Sequence, residues 1–241
     1  MLKRLDAFGG ANSMPRMLLA AALSLCLSAL VVIALRWGAA DAGMQYANHE
    51  LVRWGAVPPS LESWLDVRHR LTDAHQLEPH SATVLEALGL LHAQRVTGGS
   101  GSQVFQEQAL GYFRKAAALR PTSSYTWANI ALTKHRLNEV DAELRGALSN
   151  AVMLGPWEPE VQMVVADAGF SLWDELPDAS RSEVLEMAVR GMKRYSGSML
   201  RIAETRGRLA LLCQSNVASG ASDLENITFA NAKCQPTPAS R

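Results

Sequence analysis

Six histidines, three cysteines and a balanced set of carboxylates are the residues here that could hold a metal or attack a substrate. Their spacings argue against both. Asn48-His49-Glu50-Leu51-Val52-Arg53 begins like a zinc-protease helix, but Arg53 stands where the metal needs its second histidine. His69 and His75 lie six apart, a poor spacing for sharing one helix face, and read as surface histidines. Gly98-Gly99-Ser100-Gly101-Ser102 lacks the lysine of a phosphate loop and follows no strand. No serine has the glycine neighbours of a nucleophile elbow. Glu160 and Asp167 are seven apart, which on a helix is about 10 Å along one face. That roughly suits an inverting glycosidase, yet any acidic helix offers such a pair. Trp127 and Trp173 could stack on sugars, but both fall at inward helical positions, where a tryptophan supplies core area. The reading is of a protein that is not an enzyme and needs no metal or cofactor. Two alternatives stand beside it: a glycan-binding module using Trp157 and Trp173, and a glycan-processing hydrolase using Glu160 and Asp167.

The 241 residues carry 23 Lys and Arg against 23 Asp and Glu, a formal net charge of zero. There is no basic block to follow a phosphate backbone, so nucleic acid is excluded as a partner. Met17–Leu35 is nineteen residues without a charge, about the length that crosses roughly 30 Å of hydrocarbon. Lys3, Arg4 and Arg16 precede it with only Asp6 opposing them, which puts residues 1–16 on the cytoplasmic side. A cleaved signal peptide, cut near Ala40 or Ala42, is the other reading; the apolar run is long for one. Cys26 lies within that run, whereas Cys213 and Cys234 lie on the exported side, where two thiols either pair or stay free.

The elements that would position any site are helices. In Ala109–Asn138, Ala109, Phe113, Ala116 and Ala117 recur on one face of a 3.6-residue period. Arg120-Pro121 stops that helix, Thr122, Ser123 and Ser124 offer a cap, and Trp127, Ile130, Ala131 and Lys134 form the next inward face. Further patterns cover Leu61–Leu77, Ser81–Gln94, Glu160–Trp173, Ser180–Tyr195 and a final helix Met199–Leu212. A flexible loop is expected at Thr97–Ser102, and a loose tail after Gln214. The organisation is a stub at 1–16, an anchor at 17–36, a juxtamembrane segment at 37–58, a helical domain at 59–213 and a tail at 214–241.

When Pro79, Pro121 and Pro156 are superposed, Leu71, Phe113 and Leu148 coincide, as do Ala74, Ala116 and Ala151, and Leu77, Leu119 and Leu154. After the prolines, Leu88-Gly89, Ile130-Ala131 and Val165-Ala166 coincide. The proline spacings are 42 and 35 residues, and the Gly/Ser loop accounts for the excess. Self-similarity near 34 residues marks a helical solenoid. Trp127, Ile130-Ala131, Ala109, Phe113, Ala116 and Pro121 resemble the tetratricopeptide repeat, over about residues 60–195. That resemblance implies an all-α fold, a transmembrane helix followed by a right-handed helical-repeat solenoid. It also implies a partner-binding groove lined by Glu86, Leu90, Tyr125, Asn129, Leu132, His135, Met163, Asp167 and Phe170. With its stub, anchor and Leu154-Gly155-Pro156-Trp157-Glu158-Pro159 turn, the chain is also similar to the VpsP-type proteins of bacterial exopolysaccharide clusters. That similarity implies a bacterial inner-membrane protein with its C-terminal domain in the periplasm. It would bind protein components of a polysaccharide assembly or export machinery.

Overall fold

The computed structural model describes residues 13–54, 59–95, 100–218 and Cys234. Residues 1–12 of the stub, Val57-Pro58, Thr97–Gly99 of the Gly/Ser loop, and 219–233 and 235–241 of the tail lie outside the described residues. Among those described the secondary structure is entirely helical: α1 (Ser13–Trp54), α2 (Leu61–Leu77), α3 (Ala82–Ala93), α4 (Ser100–Leu119), α5 (Ser124–Arg136), α6 (Ala142–Leu154), α7 (Pro159–Ser171), α8 (Asp178–Thr205) and α9 (Leu209–Ala218), with a short 3-10 turn at Trp173–Glu175.

Five of the helix starts have a local cause. Ser60, Ser81, Ser123 and Asp141 accept from the backbone N–H three residues on, at Ser63, Val84, Thr126 and Leu144, satisfying a donor the helix itself leaves open. At α7 Pro159 takes the first turn, where its missing N–H costs nothing. The three superposed prolines sit in matching turns: Ser81, Ser123 and Glu158 donate to the carbonyls of Glu78, Arg120 and Gly155 at 3.1, 3.2 and 3.2 Å. Proline suits the second position of such a turn because its φ is already set.

Helices neighbouring in sequence lie against one another: α1 on α2, α3 on α4, α5 on α6, α7 on α8, with α5 also meeting α7 and α6 meeting α8. The residues that coincide before the prolines are the ones buried: Leu71, Phe113 and Leu148, and Ala74, Ala116 and Ala151, are all 2 % exposed or less. Burying each large one contributes about 1.5–3 kcal/mol. Gly89 faces Phe113 so closely that a Cβ there would meet the ring at 2.5 Å, which is why a small residue stands opposite the large one. In the third register Leu77 packs, partly buried, against the core and Leu154 is half-buried, while Leu119 is 43 % exposed.

α1 has two characters. Its first half is apolar and exposed, the one helix among the described residues long and apolar enough to cross a membrane. Its second half, within the segment 37–58, is helical to Trp54 and enters a core. Ala40, Met44, Ala47, Leu51 and Trp54 form a stripe that joins Trp64, Val67, Leu71 and Ala74 of α2 and Val84, Ala87, Leu88 and Leu91 of α3. A second cluster runs through α4–α9.

Three sequence expectations are corrected. Ser100, Gly101 and Ser102 are the first turn of α4 rather than loop, because the amphipathic pattern behind them extends the helix. The final helix expected at 199–212 is present in two pieces, a stretch to Thr205 that is separate from the helix before Tyr195, and then α9. The helix expected at Ser180–Tyr195 ends where expected, at a kink on the non-helical Tyr195 (φ −130°, ψ 43°), and a second helical stretch runs on to Thr205, with Met192, Met199 and Leu200 buried on both sides of the kink. The stop comes at Gly207, φ 67°, where Gly207 and Arg208 donate back to Glu204 and Ala203 at 3.1 and 2.7 Å, the left-handed ending glycine allows. Trp127 and Trp173 are half-buried, not core; Trp127 Nε1 straps the preceding turn by donating to the Pro121 carbonyl at 2.7 Å. The tryptophans that do bury are Trp54 and Trp64, at 8 % and 2 %.

Cys213 and Cys234 form a disulfide with Cα atoms 5.5 Å apart. Closing a loop of this length stabilises by about 3 kcal/mol in the chain-entropy account.

Candidate functional site

The groove residues fall on three helices: Glu86 and Leu90 on α3; Tyr125, Asn129, Leu132 and His135 on α5; Met163, Asp167 and Phe170 on α7. Eight of the nine keep some exposure, as a surface face should. Phe170 does not. It is 1 % exposed and lies against Trp173, ring centroids 6.0 Å apart, so it belongs to the core rather than to a groove wall.

Several of the polar positions are already occupied. Glu86 pairs with Arg120 and accepts from Ser123 Oγ at 2.8 Å and from the Thr126 hydroxyl, tying α3 to the start of α5. One unit on, the Tyr125 hydroxyl donates to Glu158 at 2.8 Å, which holds the phenol up at about 12. Asp167 receives a two-pronged contact from Arg206, at 2.9 and 3.0 Å. Such a fork-to-carboxylate pair is geometrically specific and leaves Asp167 a poor candidate for acid–base work. Glu160, its supposed carboxylate partner, is exposed at the start of α7. His135 is held below the usual histidine range by burial and then by Arg206, against the pull of Asp167; its Nδ1 is buried with no partner. Among the described residues Asn129 makes no side-chain hydrogen bond, and with Tyr125, Leu132 and Met163 it supplies the unoccupied part of the face.

Trp157 is 70 % exposed, with the Arg190 guanidinium 5.0 Å from its ring, while Trp173 carries Arg181 at 5.9 Å. Each ring thus has one cation near it, and Trp157 remains largely exposed.

The arrangement the sequence did not foresee centres on Lys134. Its side chain is 1 % exposed and its Nζ lies 2.7, 2.8 and 2.9 Å from Glu139, Asp141 and Glu143. Arg114 closes the group from α4, with Nε 2.7 Å from Glu143. The backbone builds this cage. Asn138 ends α5 with φ 58°, a left-handed residue that asparagine tolerates. The N–H groups of Asn138 and Glu139 then return to His135 and Lys134 at 3.0 and 2.9 Å. That fold-back sets Glu139 over Lys134, where helix endings of this kind usually place an apolar contact. Burial works against the lysine's charge, but its three carboxylates outweigh it and raise its pKa. Arg114 first, then Lys134, hold Glu143 down at about 2. The signal was present: a lysine on an apolar helix face followed by Glu139, Asp141 and Glu143.

Among the described residues no three His, Cys, Asp or Glu are placed to hold a metal. Among the described residues the chain is all-helical, with one apolar N-terminal helix that is long enough to span a membrane. No family model matches it, and no curated protein is similar enough to count as a relative.

Proposed function

We propose that the chain is a membrane-anchored scaffold of the tetratricopeptide kind, whose helix pairs stack as a right-handed solenoid and bind a protein partner along α3, α5 and α7. The observation that carries the reading is the placement of eight half-exposed groove residues on alternate helices. Tyr125, Leu132 and Met163 mixed with the unengaged Asn129 amide have the composition of an interface core. The anchor reading is supported by α1: a cut at Ala40 or Ala42 would sever the helix inside the segment that rests on α2. The charge pattern of residues 1–16 and the disulfide favour a C-terminal domain outside the cytoplasm, the periplasm of a bacterium, with the helix in the inner membrane. The partner is a protein component of exopolysaccharide assembly or export, and the chain itself performs no catalysis.

The test is crosslinking of the full chain in its own membrane, read by mass spectrometry, for the parent and for Asn129→Ala combined with Leu132→Ala. Neither residue is fully buried, so the fold should survive. Loss of specific crosslinks and of polymer export is expected; unchanged crosslinks and export in a folded double variant would discard the groove.

A further inference from the structure

A cleft of about 460 Å³ opens between α2 and α4 over the end of α3, lined by Arg68 and Thr72, by His92, and by Gln108, Gly111, Tyr112 and Lys115. None of these is a groove residue. The volume lies in the range of small-molecule sites, and the lining holds two cations and no carboxylate. The contrast with neighbouring arginines is direct: on α2 Arg70 is met by Asp66, and on α4 Arg114 by Glu143. Arg68 and Lys115 form no ion pair among the described residues. They rest instead against aromatic faces, Arg68 5.4 Å from the Trp64 ring and Lys115 5.8 Å from the Tyr112 ring.

The floor is a built one. His92 is 6 % exposed, stands edge-on to Trp64 at 5.5 Å and tilted to Tyr112 at 5.4 Å. Burial and then the Arg68 charge push it down to about 4 against the pull of the Gln108 side chain beside it, so it is a neutral ring; its Nδ1 is buried with no hydrogen-bond partner. An unpartnered buried nitrogen beside a polar cleft is a group waiting for a ligand atom or a water. Gly111 leaves the space open: a Cβ there would meet nothing within 4 Å.

We propose that this cleft binds a small molecule carrying a phosphate or carboxylate group. Arg68 and Lys115 receive the anion, the Gln108 amide donates a hydrogen bond, Thr72, whose hydroxyl donates to the Arg68 carbonyl at 2.8 Å, accepts one from the ligand, and the rest of the ligand lies over Tyr112 and His92. The arginine fork suits a phosphate or carboxylate in particular. The anion has two possible sources, a solute or a lipid headgroup. Arg36, at the end of the apolar stretch, donates to the Leu77 carbonyl at 3.2 Å, so Thr72 and Arg68 lie about 7 and 13 Å along α2 from that level.

The test uses the full chain in phosphatidylcholine nanodiscs, titrated calorimetrically with inorganic phosphate, glucose 6-phosphate and glucuronate, with glucose as the neutral control. Saturable heat with an anionic probe, absent with glucose, assigns a solute. No heat there, but hydrogen-exchange protection of α4 around Gly111–Lys115 in discs containing phosphatidylglycerol, assigns a lipid headgroup. Either response should weaken at least tenfold in Arg68→Ala and in Lys115→Ala. It should vanish in Gly111→Leu, which fills the cleft while improving the helix. The proposal is overturned if neither response occurs, if glucose matches the anions, or if binding survives Arg68→Ala with Lys115→Ala. That double change is at exposed positions, so it keeps the test valid even should Gly111→Leu misfold. Because no groove residue takes part, partner docking can fail without touching this result.

Discussion

Lys134 is 1 % exposed and meets three carboxylates within 2.9 Å, whereas Arg68 and Lys115 border an open cleft whose lining holds no acid. Both regions bring cations onto helices beside aromatic and aliphatic core. In one the charge is neutralised by the chain's own carboxylates, and nothing is left for a ligand. In the other the charge is exposed and its neighbours are neutral donors. The lesson is that a cation's meaning depends on whether its counter-charges are intramolecular. A buried cation without them would be intolerable; an exposed one without them costs little and stays available.

The comparison can be broken most sharply at Lys134. Lys134→Ala leaves Glu139, Asp141 and Glu143 facing one another and should lower stability by about 2–3 kcal/mol, short of the loss for a fully buried pair because the carboxylates are 35–52 % exposed. Denaturant unfolding of the soluble part of the signal measures it, and a loss under about 1 kcal/mol would mean the cage is a surface ion pair. Trp64→Ala, which removes the buried ring beneath Arg68 and His92, should cost about 3 kcal/mol. The same change at half-buried Trp127 should cost less, and equal losses would show that the two rings are buried alike.

Acid titration sharpens the contrast further. Glu143 is held down at about 2 and Asp141 is also lowered. A depressed carboxylate contributes stability that is present above its unfolded pKa and disappears as pH falls through the folded value. The cage should therefore weaken between about pH 4.5 and pH 2, and Glu143→Gln should flatten that part of the stability profile. At the alkaline end the raised Lys134 pKa works the other way: its contribution holds below the ordinary lysine range and is lost above it. The smallest effect belongs to the cleft. Arg68→Ala with Lys115→Ala should change stability by no more than about 0.5 kcal/mol, since neither charge is paired within the described residues. A larger loss would place the pair among structural contacts.

Much of the fold was legible because it was written locally. The limits of α2 follow from Ser60 before it and Glu78-Pro79 after it, and the buried registers around Pro79, Pro121 and Pro156 follow from repeated apolar and small residues. That the expected groove residues fall on α3, α5 and α7 was legible, but not their contacts: that Asp167 is held by Arg206, thirty-nine residues away, or that Phe170 turns into the core, depends on where α8 lies. The cleft was not legible at all. Arg68, His92 and Lys115 are separated by more than twenty residues at each step, and no periodicity links them.

By itself the sequence determined the helical state of the chain, its apolar N-terminal stretch and the stops between helices. Caps, prolines and a 3.6-residue period act over a few residues, so they need no tertiary partner to be read. Tertiary structure alone decided that the second half of α1 joins the domain core, that Phe170 turns inward, and that one lysine is enclosed while another charge pair stands open. These outcomes rest on burial and on charges meeting across helices, and both are set by distances in space that chain order does not contain.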